Sequence, residues 1–183
     1  MINVSEVKYG APTEFKSELQ RITYEALEKL GIDYIRVDND EARTMEDCIA
    51  INERLRCKVV KTLFLCNRQK TSFYLFITEG DKPFVTRIFS KVLGISRVSF
   101  APPELLLSLA GVEPGATTVF AALIDNNKAI NVVIDEDILK EEYFGCTDGT
   151  LTTYMRIKTD DVFRILDYTK HKAKIIDVNI TGE

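Results

Sequence analysis

The stretch CKVVKTLFLCNRQKTSFYLFIT, residues 57–78, decides how the chain is read. Two apolar runs, KTLFLC and TSFYLFIT, flank the polar NRQK, and their β-branched, aliphatic and aromatic side chains suit a pleated surface. The pair predicts a β-hairpin with a four-residue loop. Lys61 interrupts the first strand. A lysine among apolar neighbours either carries its ammonium out to water or is held for a purpose, and spacing alone leaves both readings open.

Outward from this hairpin, helical and extended patterns alternate. Phe15, Leu19, Ile22, Leu27 and Leu30 recur at helical spacing over 13–30, with Gly31 as a stop. DYIRV (33–37) predicts a short strand, and Thr44 an N-cap for a helix over MEDCIAINERL. PFVTRIFSKVLG predicts a helix, SRVSFA a strand, and PPELLLSLAGV a helix opened by proline and closed near Gly111. TTVFAALI and INVVID predict a second hairpin around DNNKA. EDILKEEYF follows as a short acidic helix and TLTTYMRI as a strand; Thr159 is expected to cap DDVFRILDYTK, and KIIDV is the last strand. Strand pairs mixed with helices predict an α+β fold, a mixed β-sheet closing toward a barrel with surrounding helices. At 183 residues, 13–183 is expected to form one domain, with 1–12 a loose N-terminal extension.

Composition narrows the function classes. No apolar run is long enough to span a membrane, and the N-terminal residues lack the pattern of a signal peptide. Cys48, Cys57, Cys66 and Cys146 form no CxxC pair, so reduced thiols and a cytoplasmic location are expected, with neither a disulfide framework nor a zinc site. The net charge of −4 hides a polarity: Arg56 to Arg97 holds nine basic residues against Glu79 and Asp81, whereas 101–150 holds nine acids against Lys128 and Lys140. A segregated basic block suits a polyanion such as RNA, and a solvated hairpin and helix fits the same charges.

Few motifs carry chemistry. His171, the single histidine, lies in YTKHKAK and is expected to be solvated or to complement a helix end. Asp135, Glu136 and Asp137 could ligate a divalent metal, but the strand–helix junction favours capping. No GxSxG, HExxH or Walker loop occurs. GVEPGATT (111–118) is a tight, pre-shaped loop whose amides could converge on an oxyanion.

The order KTLFL, SRVSFAPPELL, GVEPGATT running into VFAALIDNN, INVVIDEDILKEEYF and DGTLTT resembles the YbaK/ProX family of aminoacyl-tRNA deacylases, which is related to the editing domain of bacterial prolyl-tRNA synthetases. The likeness covers about residues 13–178 and is closest to the freestanding ProX/PrdX branch. It implies hydrolysis of mischarged tRNA(Pro), with alanine leading as the amino acid removed, cysteine as the alternative, and a non-catalytic aminoacyl-tRNA or synthetase-binding module as the rival. It implies catalytic roles for Lys61, Gly111, Pro114 and Gly115, and substrate contacts from Thr62, Thr150, Thr152 and Thr153. The basic block then supplies Arg68, Lys70, Lys82, Arg87 and Lys91 to the tRNA. Neither a cofactor nor a metal is expected; tRNA is the expected partner and prolyl-tRNA synthetase a further one. The chain departs from the family at FGCTDGTLTT. Many relatives carry a His-Pro pair and an asparagine there, and this chain has Gly145, Cys146 and Gly149.

Overall fold

The computed structural model describes residues 1–179. The expected hairpin is its centre: β2 (Val60–Asn67) pairs antiparallel with β3 (Phe73–Glu79), and Asn67 closes the turn by accepting from the Thr71 and Ser72 amides. Alternation along β2 sends Phe64 and Cys66 into one apolar core and Leu63 and Leu65 into another beneath α3 (Thr86–Leu93). A five-stranded sheet forms in the order β4 (Val98–Phe100), β2, β3, β5 (Ile130–Asp135), β8 (Lys174–Ile176). β4 is antiparallel to β2, whereas β5 runs parallel to β3 and to β8, so the sheet is mixed.

A second, antiparallel sheet has the order β1 (Ile35–Asp38), β7 (Thr153–Lys158), β6 (Tyr143–Thr147). A single parallel bridge, Val59 to Gly145, with the Gly145 amide donating to the Lys58 carbonyl at 3.2 Å, joins the two sheets. Gly145 is required there: a Cβ would stand 2.8 Å from the Lys58 oxygen and 2.9 Å from the Cys57 sulfur. β2 is therefore flanked by β6 just before its first residue and by β4 from Leu65 onward, and the strand between lies open.

The helices start where local chemistry allows. α1 (Glu18–Leu30) begins at Ser17, whose hydroxyl accepts from the Gln20 amide, and ends at Gly31 in the left-handed region; Phe15 stays outside, stacked on Tyr24. α2 (Cys48–Leu55) begins later than the Thr44 signal implies, because Thr44 and Asp47 accept from each other's amides in the turn before it. Pro103–Leu105 forms a single helical turn, α4, that passes into a π-helical turn, Leu106–Ala110. α5 (Thr159–Thr169) starts at Thr159, which is not a cap: its hydroxyl donates to the Glu141 carbonyl at 2.6 Å.

Two further expectations fail. TTVFAALI is not a strand, and no second hairpin forms. Val119–Leu123 is a 3-10 helix opened by Thr118, and Val119 to Ala122 are all buried. A short run enclosed on every side shows neither helical nor alternating periodicity. His171 is not solvated; it is buried, with Nε2 2.7 Å from the Asp125 carboxylate and Nδ1 2.8 Å from the Thr169 hydroxyl. The capping of the acidic triplet holds, since Asp135 accepts from the Asp137 amide at the start of the 3-10 helix Glu136–Lys140. Residues 1–12 pair along β1: the Ser5 amide donates to the Asp38 carbonyl, and Lys8 and Arg36 exchange backbone bonds.

Candidate active site

The open part of β2 forms one wall of a cleft of about 430 Å³. On the side away from β3, the Phe64 carbonyl accepts from the Ala101 amide at 2.9 Å. Backbone groups two residues apart in a strand point the same way, so the N–H and C=O of Thr62 face the cleft, where no strand covers them. Phe100 and Pro103 form one lip, Pro114 and Gly115 another, and Cys48, Cys146, Thr147 and Tyr154 the interior. Phe100 is 62% exposed, its ring packed edge-on against Phe84.

Four of the expected catalytic and substrate residues meet here: Lys61, Thr62, Pro114 and Gly115. Lys61 is half-buried at the cleft, and its ammonium donates to the Lys82 carbonyl at 2.5 Å. Partial burial lowers its pKa below the ordinary lysine value, and the Asp81 carboxylate opposes the shift. Gly115 has φ +95°, and a Cβ would meet Leu151 at 3.1 Å, so the loop needs glycine for both conformation and space. The loop amides are not all available: Gly111 donates to the Leu107 carbonyl, Ala116 donates to that of Glu113, and Pro114 has no N–H. The amide of Gly115 has no protein acceptor among the described residues.

The other expected residues stand elsewhere. Gly111 closes the π-helical turn at φ +70° and packs toward Ile124, outside the cleft lining. Thr150 donates its hydroxyl to Asp148, Thr152 accepts from Lys16, and Thr153 faces Asp38 at 3.5 Å; none of the three lines the cleft. Thr117 and Thr147 line it instead, together with Arg43. Thr117 lies inside the GATT motif, so its signal was present; Thr147 and Arg43 reach the cleft through tertiary packing, which spacing does not reveal.

Among the described residues, the cleft lining contains no carboxylate and no imidazole. Its thiols are held protonated by burial, which pushes Cys48 up to about 11 and Cys146 well above the usual thiol range; Cys57, behind Gly145, is pushed up to about 12. Buried Asp148 is occupied by Gln20, Tyr24 and Thr150, which anchor α1 to the loop after β6. No group of three His, Cys, Asp or Glu side chains converges to hold a metal ion among the described residues. Nor is any described helix long and apolar enough to cross a membrane.

Of the basic block, Arg68 and Lys70 lie exposed in the β2–β3 turn, Arg87 and Lys91 on the exposed side of α3, and Arg97 just before β4. None of these five forms an ion pair among the described residues, so their charge is available to solvent or a ligand. Lys82 differs: its ammonium is 2.6 Å from both Asp135 and Asp137.

The protein is an aminoacyl-tRNA deacylase, a hydrolase of the aminoacyl ester, by the family its sequence matches. Residues 39–165 match the aminoacyl-tRNA editing domain, and the chain belongs to that family. It is 27% identical over 168 residues to "Prolyl-tRNA synthetase associated domain-containing protein 1" of Danio rerio, covering 91% of this chain and 89% of that protein. Over 152 residues it is 22% identical to "Prolyl-tRNA editing protein ProX" of Acetoanaerobium sticklandii, covering 83% and 93%. A crystal structure of a candidate trans-editing enzyme for prolyl tRNA synthetase superposes with a TM-score of 0.63 at 19% identity, over 89% of this chain and 99% of that one.

Proposed function

We propose that the protein deacylates mischarged tRNA(Pro) in trans, in the cytoplasm, with alanyl-tRNA(Pro) as the leading substrate. Residues 13–183 act as one editing unit, with 1–12 appended along β1. The observation that carries the mechanism is the character of the cleft: a tethered ammonium, a free loop amide and an open strand edge, with no protein base among the described lining residues. An aminoacyl ester is already activated and needs a placed water and a stabilised oxyanion. Lys61 fixes the acceptor end as a point charge, and the Gly115 amide donates to the developing oxyanion. The ribose hydroxyl beside the ester orients the attacking water, which supplies the role a protein base would otherwise fill. The free cations of the β2–β3 turn and α3 meet acceptor-stem phosphates. The names of the two relatives support proline tRNA as the carrier and prolyl-tRNA synthetase as a partner.

The test is a panel of tRNA(Pro) charged with alanine, cysteine or proline, scored for ester hydrolysis by the purified protein. Preferential release of alanine supports the reading. Preferential release of cysteine moves the specificity, and no release from any of the three replaces the catalyst with a binding module. A tRNA ending in 2′-deoxyadenosine and charged on the 3′ oxygen separates the mechanisms. Unchanged binding with a large loss of kcat supports substrate assistance, and full turnover refutes it.

A further inference from the structure

We propose that Lys82, expected from the sequence to contact tRNA, is instead the positioning residue for Lys61. The inference rests on the reading of Lys61 as the group that fixes the substrate. Lys82 lies in the segment between β3 and α3, and its carbonyl receives the Lys61 ammonium at 2.5 Å. The segment is pinned by the same residue's side chain. Its ammonium stands 2.6 Å from an oxygen of Asp135 and 2.6 Å from one of Asp137, with only 14% of the side chain exposed.

Asp135 is wholly buried at the end of β5 and also accepts from the Thr78 hydroxyl at 2.6 Å. Thr78 is the residue directly across the β2–β3 ladder from Lys61. Lys61, Thr78 and Asp135 thus mark one row across three neighbouring strands, and Lys82 closes the row with its carbonyl at one end and its ammonium at the other.

The arrangement has a physical purpose. A lysine stem has four rotatable bonds, and a free ammonium at a cleft spreads over many positions. The Lys82 carbonyl takes one of the three N–H donors and leaves two for a substrate. The carbonyl stays in place because Lys82 is bound to a buried carboxylate that cannot be left unpaired cheaply. The backbone turn alone, a single bond from the Lys82 amide to the Glu79 carbonyl at 3.2 Å, fixes the segment at one point only.

Lys82→Met keeps the stem and removes the charge. The expected result is a fall in kcat for ester hydrolysis of roughly tenfold to a hundredfold, as for a catalytic group displaced by about an ångström, with KM for tRNA changed less than about twofold. Lys82→Arg, whose fork can reach both carboxylates, is expected to restore most of kcat. Should Lys82→Met fail to fold, Asp137→Asn is read in the same way. Wild-type kcat in folded Lys82→Met, or a raised KM with kcat unchanged, overturns the proposal, the latter by returning Lys82 to the tRNA contacts. NMR of protein with labelled lysine side chains gives a readout without turnover. The Lys61 Cε–Nζ signal is expected to be distinct from those of solvated lysines in the wild type and in Lys82→Arg, and to move to their position in Lys82→Met. A signal that does not move overturns the tether, and this arm stands even if no mischarged tRNA proves to be a substrate.

Discussion

Replacing Gly145 by alanine tests how the two sheets are joined. The added methyl would lie 2.8 Å from the Lys58 carbonyl oxygen and 3.1 Å from its carbon, both backbone atoms, as well as 2.9 Å from the Cys57 sulfur. Backbone cannot swing aside as a flexible side chain can, so β6 or the segment entering β2 must shift, and the 3.2 Å bond from the Gly145 amide to the Lys58 carbonyl weakens. Overpacking of this kind costs about 1–3 kcal/mol, and the lost bond about 0.5–1.5 kcal/mol. The smaller conformational freedom of the unfolded alanine chain returns about 0.4–1 kcal/mol. The net expectation is a destabilisation of about 0.5–4 kcal/mol, centred on about 2 kcal/mol, and at this chain length each kcal/mol lowers Tm by about 2–4 °C. Equilibrium unfolding in urea measures it as a lower midpoint with an unchanged slope. Stability within about 0.5 kcal/mol of wild type, the range of an ordinary surface change, would refute the argument that this pairing leaves no room for a side chain.

Three further outcomes are expected. Because burial lowers the Lys61 pKa, its ammonium loses its proton at a lower pH than a solvated lysine. Activity that depends on that charge is therefore full below the lowered pKa and falls as pH rises through it, on the alkaline limb of a kcat/KM profile; Lys61→Ala removes most activity and leaves the fold intact, and a profile flat up to the ordinary lysine range contradicts the role. With Cys48 pushed up to about 11 and Cys57 to about 12, almost no thiolate exists near neutrality, so iodoacetamide at pH 7.5 should label these sites and Cys146 only after denaturation, as read by mass spectrometry; stoichiometric labelling of the native protein counts against their burial. Neutralising Arg68, Lys70, Arg87 and Lys91 together should weaken binding of charged and uncharged tRNA alike and flatten the dependence of log K on log salt, whereas an unchanged slope places the tRNA elsewhere.

What could be read from the sequence follows the range of the interactions involved. The β2–β3 hairpin, α1, α3 and the capped acidic turn are specified by residues a few positions apart, and these emerged from periodicity and capping chemistry. Parallel pairing of β5 with β3 and β8 has no local signature, since the strands are joined through intervening helices; INVVID was legible as a strand but not its neighbours. Charge alone does not show which of the basic residues are paired, for the same reason. Lys82 looks like its exposed neighbours in the basic block, but its partners lie 53 and 55 residues further along the chain. His171 is matched to Asp125 across 46 residues and is likewise invisible to local reasoning.

The departure at Gly145 ties this limit to function. Against the family pattern, a glycine and a cysteine in place of a His-Pro pair read as a loss. In the fold, Gly145 is the point where β6 pairs with the chain entering β2, and the space a side chain would fill is already occupied by Lys58 and Cys57. A histidine at 145 would therefore part the sheets before it could reach a substrate. The next residue, Cys146, does face the cleft, but as a buried and protonated thiol that offers neither charge nor a strong acceptor. The polar groups left to orient a substrate are the ammonium of Lys61, the uncovered N–H and C=O of Thr62, the free amide of Gly115, and the side chains of Arg43, Thr44, Thr117, Thr147 and Tyr154. Three of these are backbone groups, set by strand register and by a left-handed glycine. The backbone part of such a site is silent in a list of side chains, and it shows only once the strand edge has been found open.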